Sequence, residues 1–144
     1  MVGGAAALFT FIRSTAEYVR QGTQKRIELY LDIRKKFDAN SKFTEIRNLL
    51  DKEDRAITKI SLKERQDYAA YFEEVAILMN SGVLKPDVAF YMFSYEAIQC
   101  WESELFWHGI SRDQDYYWGL LRMFVTEMKQ KRKIFVLTPR RFVF

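Results

Sequence analysis

The stretch from Val83 to Trp107, VLKPDVAFYMFSYEAIQCWESELFW, constrains the possible folds of this chain more than any other. Pro86 stands where a helix begins, because the N–H it lacks is one the first turn leaves unbonded anyway. Asp87 follows in the first turn, where a negative charge suits the helix dipole. Val88, Tyr91, Met92, Tyr95 and Ile98 make one stripe at helical spacing, and Phe90, Phe93, Ala97 and Trp101 make a second on the opposite side. A helix that is apolar around most of its circumference has to be enclosed by other elements. The stretch therefore reads as the central helix of a small bundle. Six glycines and two prolines in 144 residues leave little turn chemistry for an all-β fold, and a 49% hydrophobic chain of this length suits one domain with a real core.

The flanking sequence supplies the enclosing helices. Tyr18 and Val19 belong to an apolar face that the polar run Gln21 to Arg26 interrupts and that resumes at Ile27, Tyr30, Ile33 and Phe37, with Leu29 alongside. Gly22 weakens a helix interior by about 1 kcal/mol against Ala. One long helix, or two nearly continuous ones, is expected here. Asp38-Ala39-Asn40-Ser41 reads as a turn, and Phe43, Ile46, Leu49 and Leu50 mark a short second helix. Ser61-Leu62-Lys63-Glu64 fits a capping box ahead of a helix whose buried face is Tyr68, Tyr71, Phe72, Val75, Ala76 and Met79. That helix stops at Asn80-Ser81-Gly82, where Gly82 supplies the left-handed residue of a helix end. Ser111 is the expected cap of the last helix, with Asp113 in its first turn. Its expected buried face is Tyr117, Leu120, Leu121, Phe124 and Met128, widened by Trp118 and Val125, before the basic run Lys129 to Lys133. The expected architecture is all-α: a bundle of about five helices with a long N-terminal helix. Residues 1–22 read as an apolar helical extension, 23–133 as the bundle and 134–144 as a tail.

Charge is segregated along the chain. Residues 1–37 hold seven Lys/Arg against three Asp/Glu, residues 38–107 eight against thirteen, and residues 108–144 eight against three. Basic ends with an acidic middle suit two arrangements. Either both ends approach an anionic surface, or the termini pack beside the acidic middle and neutralise it. The run Val2 to Ile12, VGGAAALFTFI, has no charge. It is shorter than the roughly 20 apolar residues that span a bilayer, and it lacks the basic start of a signal peptide. It reads as the C-terminal half of a membrane helix, as a helix lying in a membrane interface, or as an ordinary core or oligomer-contact helix. Leu8, Phe9, Phe11 and Ile12 are the candidate apolar contacts. Arg13, Arg20, Lys25 and Arg26 follow as on a cytoplasmic flank, which favours membrane association.

Chemical motifs are scarce. The one cysteine, Cys100, can form no disulfide within the chain, and it reads as a small buried hydrophobe. The one histidine, His108, sits at an expected break with no nucleophile motif around it. No CxxC, HExxH, EF-hand, phosphate-loop or paired ExxH pattern is present, so no metal site, cofactor or catalytic residue is expected. Glu73, Glu74, Glu96 and Glu102 fall on or near the two core helices and are the remaining candidates for a polar site. Their ordinary role is to flank a buried stripe and pair with Lys or Arg of a neighbouring helix. The aromatics fall on core stripes rather than beside exposed basic residues, which disfavours nucleic acid as a partner.

The segments RIELYLDIRKKF (26–37), FTEIRNLL (43–50) and YFEEVAILMNSGVLKPDVAFYMFSYEAIQCWES (71–103) resemble a bacterial family, number 4760 in the domain-of-unknown-function series. Members are similar in having an apolar N-terminal segment, often a membrane helix, then a basic helix and an all-helical domain. The resemblance covers roughly residues 20–130. It implies the helical fold and supplies no activity, cofactor or catalytic residue. The expected role is a non-enzymatic interaction or scaffold module at the cytoplasmic face of the inner membrane, with a protein partner or a second copy. A soluble oligomeric subunit and an enzyme with a carboxylate-rich helical site are the alternatives.

Overall fold

The computed structural model describes residues 3–135 and Phe144. Five α-helices follow in order: α1 (Gly3–Ala39), α2 (Ser41–Asp51), α3 (Leu62–Asn80), α4 (Pro86–Glu102) and α5 (Asp115–Ile134), with a short 3-10 helix, Arg55–Lys59, between α2 and α3. The fold is the all-α bundle that the periodicity implies. The first helix runs unbroken through Gly22, so intrinsic propensity at one glycine did not divide it.

The helix ends follow local chemistry. Asn40 caps α2, its side chain accepting from the N–H groups of Lys42 and Phe43. Ser61 caps α3 by accepting from the Glu64 N–H, while its own hydroxyl meets the Glu64 carboxylate at 3.0 Å. Gly82 ends that helix at φ +79°, where a Cβ would strain the backbone. Pro86 opens α4 as expected.

Helices α3, α4 and α5 pack pairwise and form the centre; α2 lies against α3 and α4, and α1 against α2. Phe37, at the inner end of α1, is ringed by Phe43, Tyr68, Tyr71 and Phe72 at centroid distances of 4.8 to 5.8 Å. A second aromatic group, Trp101, Phe106, Trp107 and Trp118, joins the end of α4 to the start of α5 in edge-to-face contacts. Trp107 Nε1 donates to the Cys100 carbonyl, and Cys100 is fully buried, where desolvation pushes its thiol pKa well up.

Two expectations about faces need correction. Tyr91 and Tyr95 do not belong to a buried stripe: they are 62% and 63% exposed. Only three sides of α4 are covered, and the sector through Tyr91, Tyr95 and Glu102 faces outward. Tyrosine tolerates that position because its hydroxyl remains hydrated or bonded, as Tyr95 is to Asp51. The last helix starts at Asp115 with Gln114 as its N-cap residue, not at Ser111. The segment 103–114 forms turns instead, held by Arg112 donating to the Trp101 carbonyl and pairing with Glu104. The later start puts Tyr117 in the first turn, 61% exposed, and Trp118 takes the inward place.

Candidate interaction surface

The described surface divides α1 into two parts. Tyr30 and Phe37 are buried, Ile33 is partly buried, and Arg34 Nη1 donates to the Met92 carbonyl at 2.6 Å. From Arg13 to Gln21 every described side chain is exposed. Within this part Arg20 and Gln21 donate to Glu17, one turn away. At 1.5 Å per residue, the part from Gly3 to Gln21 is about 28 Å long. It is an arm. Leu8, Phe9, Phe11 and Ile12 lie on its helical backbone, and their side chains fall outside the described residues. Arg13, Arg20 and Lys25 are exposed on it, whereas Arg26 is half-buried at its root. The structure thus separates Arg26 from the other three basic candidates. No helix among the described residues is long and apolar enough to cross a membrane.

The four glutamates are not brought together. Glu96 is buried and ion-paired with Arg34 of α1 at 2.8 Å. Burial opposes the charge on Arg34, but the bonds to Glu96 and the field of Asp38 outweigh it and hold the guanidinium pKa above its usual value. Glu102 pairs with Lys129 of α5 on the surface. Glu73 is half-buried and accepts from the Leu121 N–H at 2.7 Å. Burial raises its pKa, and the Leu121 bond works in the opposite direction. Glu74 is exposed. Glu73, Glu96 and Glu102 therefore serve α3 to α5, α4 to α1 and α4 to α5 contacts. Among the described residues no group of three or more His, Cys, Asp or Glu could hold a metal ion.

His108 is an exposed loop residue, and its contribution is its backbone carbonyl. That carbonyl accepts from Arg65 Nη1 at 2.7 Å, alongside the carbonyls of Phe106 and Ile60 on the same guanidinium. Arg65 is 2% exposed, and burial lowers its pKa. It pins the 103–110 turns to the start of α3. Sequence reading missed Arg65, Arg34 and the Asp51–Tyr95–Gln99 group, in which Asp51 accepts from Gln99 and Tyr95 at 2.9 Å each. Those two bonds lower the Asp51 pKa. An Arg inside a helical apolar stripe, as Arg65 is three residues before Tyr68, was the available signal.

A family model described as "Domain of unknown function (DUF4760)" matches residues 1–118. The match takes in the arm and α1 to α4 and stops in the first turn of α5. No curated protein and no solved structure matches the chain.

Proposed function

The chain belongs to the family of that domain of unknown function, DUF4760, and on that premise we propose that it is a non-enzymatic helical interaction module held at an anionic membrane surface by the N-terminal arm. The observation behind this reading is the arm itself. A helix that leaves its bundle with all described side chains in water from Arg13 to Gln21 gains nothing from the bundle's core. It needs another surface to be of use. An uncharged run, Val2 to Ile12, followed by Arg13, Arg20 and Lys25 suits the interface of an anionic bilayer. Each basic residue near such a surface contributes about 1 kcal/mol. Anchorage of this kind needs no spanning helix. The pairing of Glu73, Glu96 and Glu102 with groups of neighbouring helices supports a non-enzymatic reading over a carboxylate-based active site.

Flotation of the full chain with vesicles tests this. Phosphatidylglycerol-containing vesicles should carry the wild type, and pure phosphatidylcholine vesicles should carry much less. Removal of residues 1–20 should abolish flotation, and Arg13→Gln with Arg20→Gln and Lys25→Gln should cut it severely. Unchanged partition after the deletion sinks the proposal.

One observation favours a second reading, a soluble oligomer. Val19 is 59% exposed, yet lies on the face of α1 that carries Tyr30 and Phe37 into the bundle. Ile12, Val19 and Ile33 fall on one seven-residue series, interrupted by Arg26, and Ala16, Thr23, Tyr30 and Phe37 fall on a second, a pattern suited to contact with another helix. Light scattering without lipid or detergent separates the two: a stable, monodisperse oligomer that also fails to float supports the second reading.

A further inference from the structure

The bundle stands on one side of α1. Tyr30 and Phe37 are buried in it, and the Tyr30 hydroxyl is anchored to the Val83 carbonyl, between α3 and α4. At 3.6 residues per turn, Val19 and Phe37 are about five whole turns apart, so the exposed Val19 lies on that same side. Ala16, one turn before Val19, is exposed beside it. The arm and the end of the bundle thus enclose a corner. The half-buried Gly22, Thr23 and Arg26 mark the join.

A corner of this shape limits what can cover the arm. Two copies of α1 paired in the same direction through this face would each need the space that the other's bundle fills. Parallel pairing would also set Arg13 beside the partner's Arg13 and Arg20 beside the partner's Arg20, and like charges at such sites repel. Antiparallel pairing has neither fault. The partner's arm enters the corner tip first, and its uncharged run before Arg13 lies opposite the half that carries Arg13 and Arg20. The seven-residue series then set the register. Continued toward the tip, the series of Ile12 and Val19 passes through Ala5, and that of Ala16 and Thr23 passes through Phe9. Antiparallel packing sets a residue of one series level with a residue of the other in the partner. One such register puts Ala16 level with the partner's Ala5. The next puts Thr23 there and drives the partner's tip into the join at Gly22 to Arg26, which the bundle excludes.

We propose that the arms of two copies pair antiparallel through the face of Ala16 and Val19, with Ala16 level with the partner's Ala5 and each bundle an end stop for the partner's arm. The contact is isologous and closes as a two-fold dimer. It rests on the oligomeric reading of the arm and needs no lipid. Arg13 and Arg20 stand on the flank of the paired face, so paired arms still offer them to an anionic surface.

Sedimentation of the full chain without lipid tests the pairing, and cysteine cross-linking tests its direction. The wild type should sediment as a dimer at tens of micromolar, and removal of residues 1–20 should give a monomer. Val19→Asp, at an exposed site outside the bundle, should weaken dimerisation at least about tenfold and leave the bundle folded by circular dichroism. Mild oxidation should join chains of the Ala5→Cys, Ala16→Cys double variant, whose two sites are too far apart on one helix to meet within a chain. Neither single variant should cross-link, because each site lies about 16 Å along the axis from its own copy in the partner. The native Cys100 is fully buried and takes no part. A dimer that cross-links as expected supports the proposal even if it fails to float with vesicles, an outcome that counts against the bilayer reading alone. A wild-type monomer overturns the proposal, whether or not it floats. Cross-linking of Ala16→Cys by itself overturns it, because only parallel arms bring those sites together. A dimer that survives both Val19→Asp and removal of residues 1–20 overturns it too.

Discussion

The two halves of α1 share one helix and one apolar face but meet opposite surroundings. Phe37 sits among four aromatic rings and is buried; Val19, on the same face five turns earlier, is exposed. Hydrophobic spacing alone does not distinguish them. What differs is whether another helix arrives. α2 and α3 turn back onto the inner half and no described element reaches the outer half. The inner half is stability, and the outer half is surface offered to something else.

The sharpest way to break that contrast is a matched truncation. Phe37→Ala should cost about 3–5 kcal/mol, since it opens a cavity in a packed aromatic cluster. Val19→Ala should stay within about 0.5 kcal/mol. Urea denaturation followed by circular dichroism measures both, and similar costs would mean that the outer half is packed too.

The next largest effect concerns how the inner region is closed. Arg65 donates to the carbonyls of Ile60, Phe106 and His108. Arg65→Met keeps the volume and strands those acceptors, at a cost of about 3 kcal/mol by the same measurement. Arg65→Lys should recover little of it, because an ammonium cannot reproduce the planar fork.

A smaller effect distinguishes the bundle by pH. Burial raises the Glu73 carboxyl above its unfolded value, so the fold favours the protonated form. That contribution is fully present below the unfolded pKa of about 4.5 and is lost as pH rises through the folded value. Glu73→Gln, whose amide oxygen can still accept from Leu121, should therefore raise Tm at pH 7. The gain should vanish at pH 4 and below, and an equal gain at both pH values would assign it to something other than ionisation.

The smallest effect is the most telling for the arm. Deleting residues 1–20 should change unfolding free energy by no more than about 0.5 kcal/mol while removing vesicle binding. A large loss of stability would show that the arm is part of the bundle after all.

Much of this architecture was legible from local patterns. Asn40-Ser41, Ser61 with Glu64, Asn80 to Gly82 and Pro86 each mark an end that the backbone's own hydrogen bonding demands, and three helices begin or stop there. The start of the last helix was misplaced by three residues, cap to cap, because Ser111 looks like a cap. Arg112, bonded to Trp101 and Glu104, draws that segment into the preceding turns instead. The tyrosines at 91, 95 and 117 misled for a related reason: a tyrosine satisfies a helical stripe whether its ring is covered or its hydroxyl is in water.

The candidate surfaces were legible unequally. The apolar run and basic residues of the arm can be read directly, since they depend on composition over one continuous helix. The direction in which two arms can pair could not be. It depends on the side of α1 that the bundle occupies, fixed where Tyr30 meets Val83 and Phe37 meets the Tyr68, Tyr71 and Phe72 rings. The sequence by itself determined five helices, most of their ends and the uneven charge along the chain, because those follow from spacing, capping and ionisation within a few residues. Only the tertiary structure decided which apolar faces are covered, which acids pair with which cations, and on which side of α1 the bundle stands. Each of those depends on where distant helices cross, and local chemistry does not encode a crossing one residue at a time.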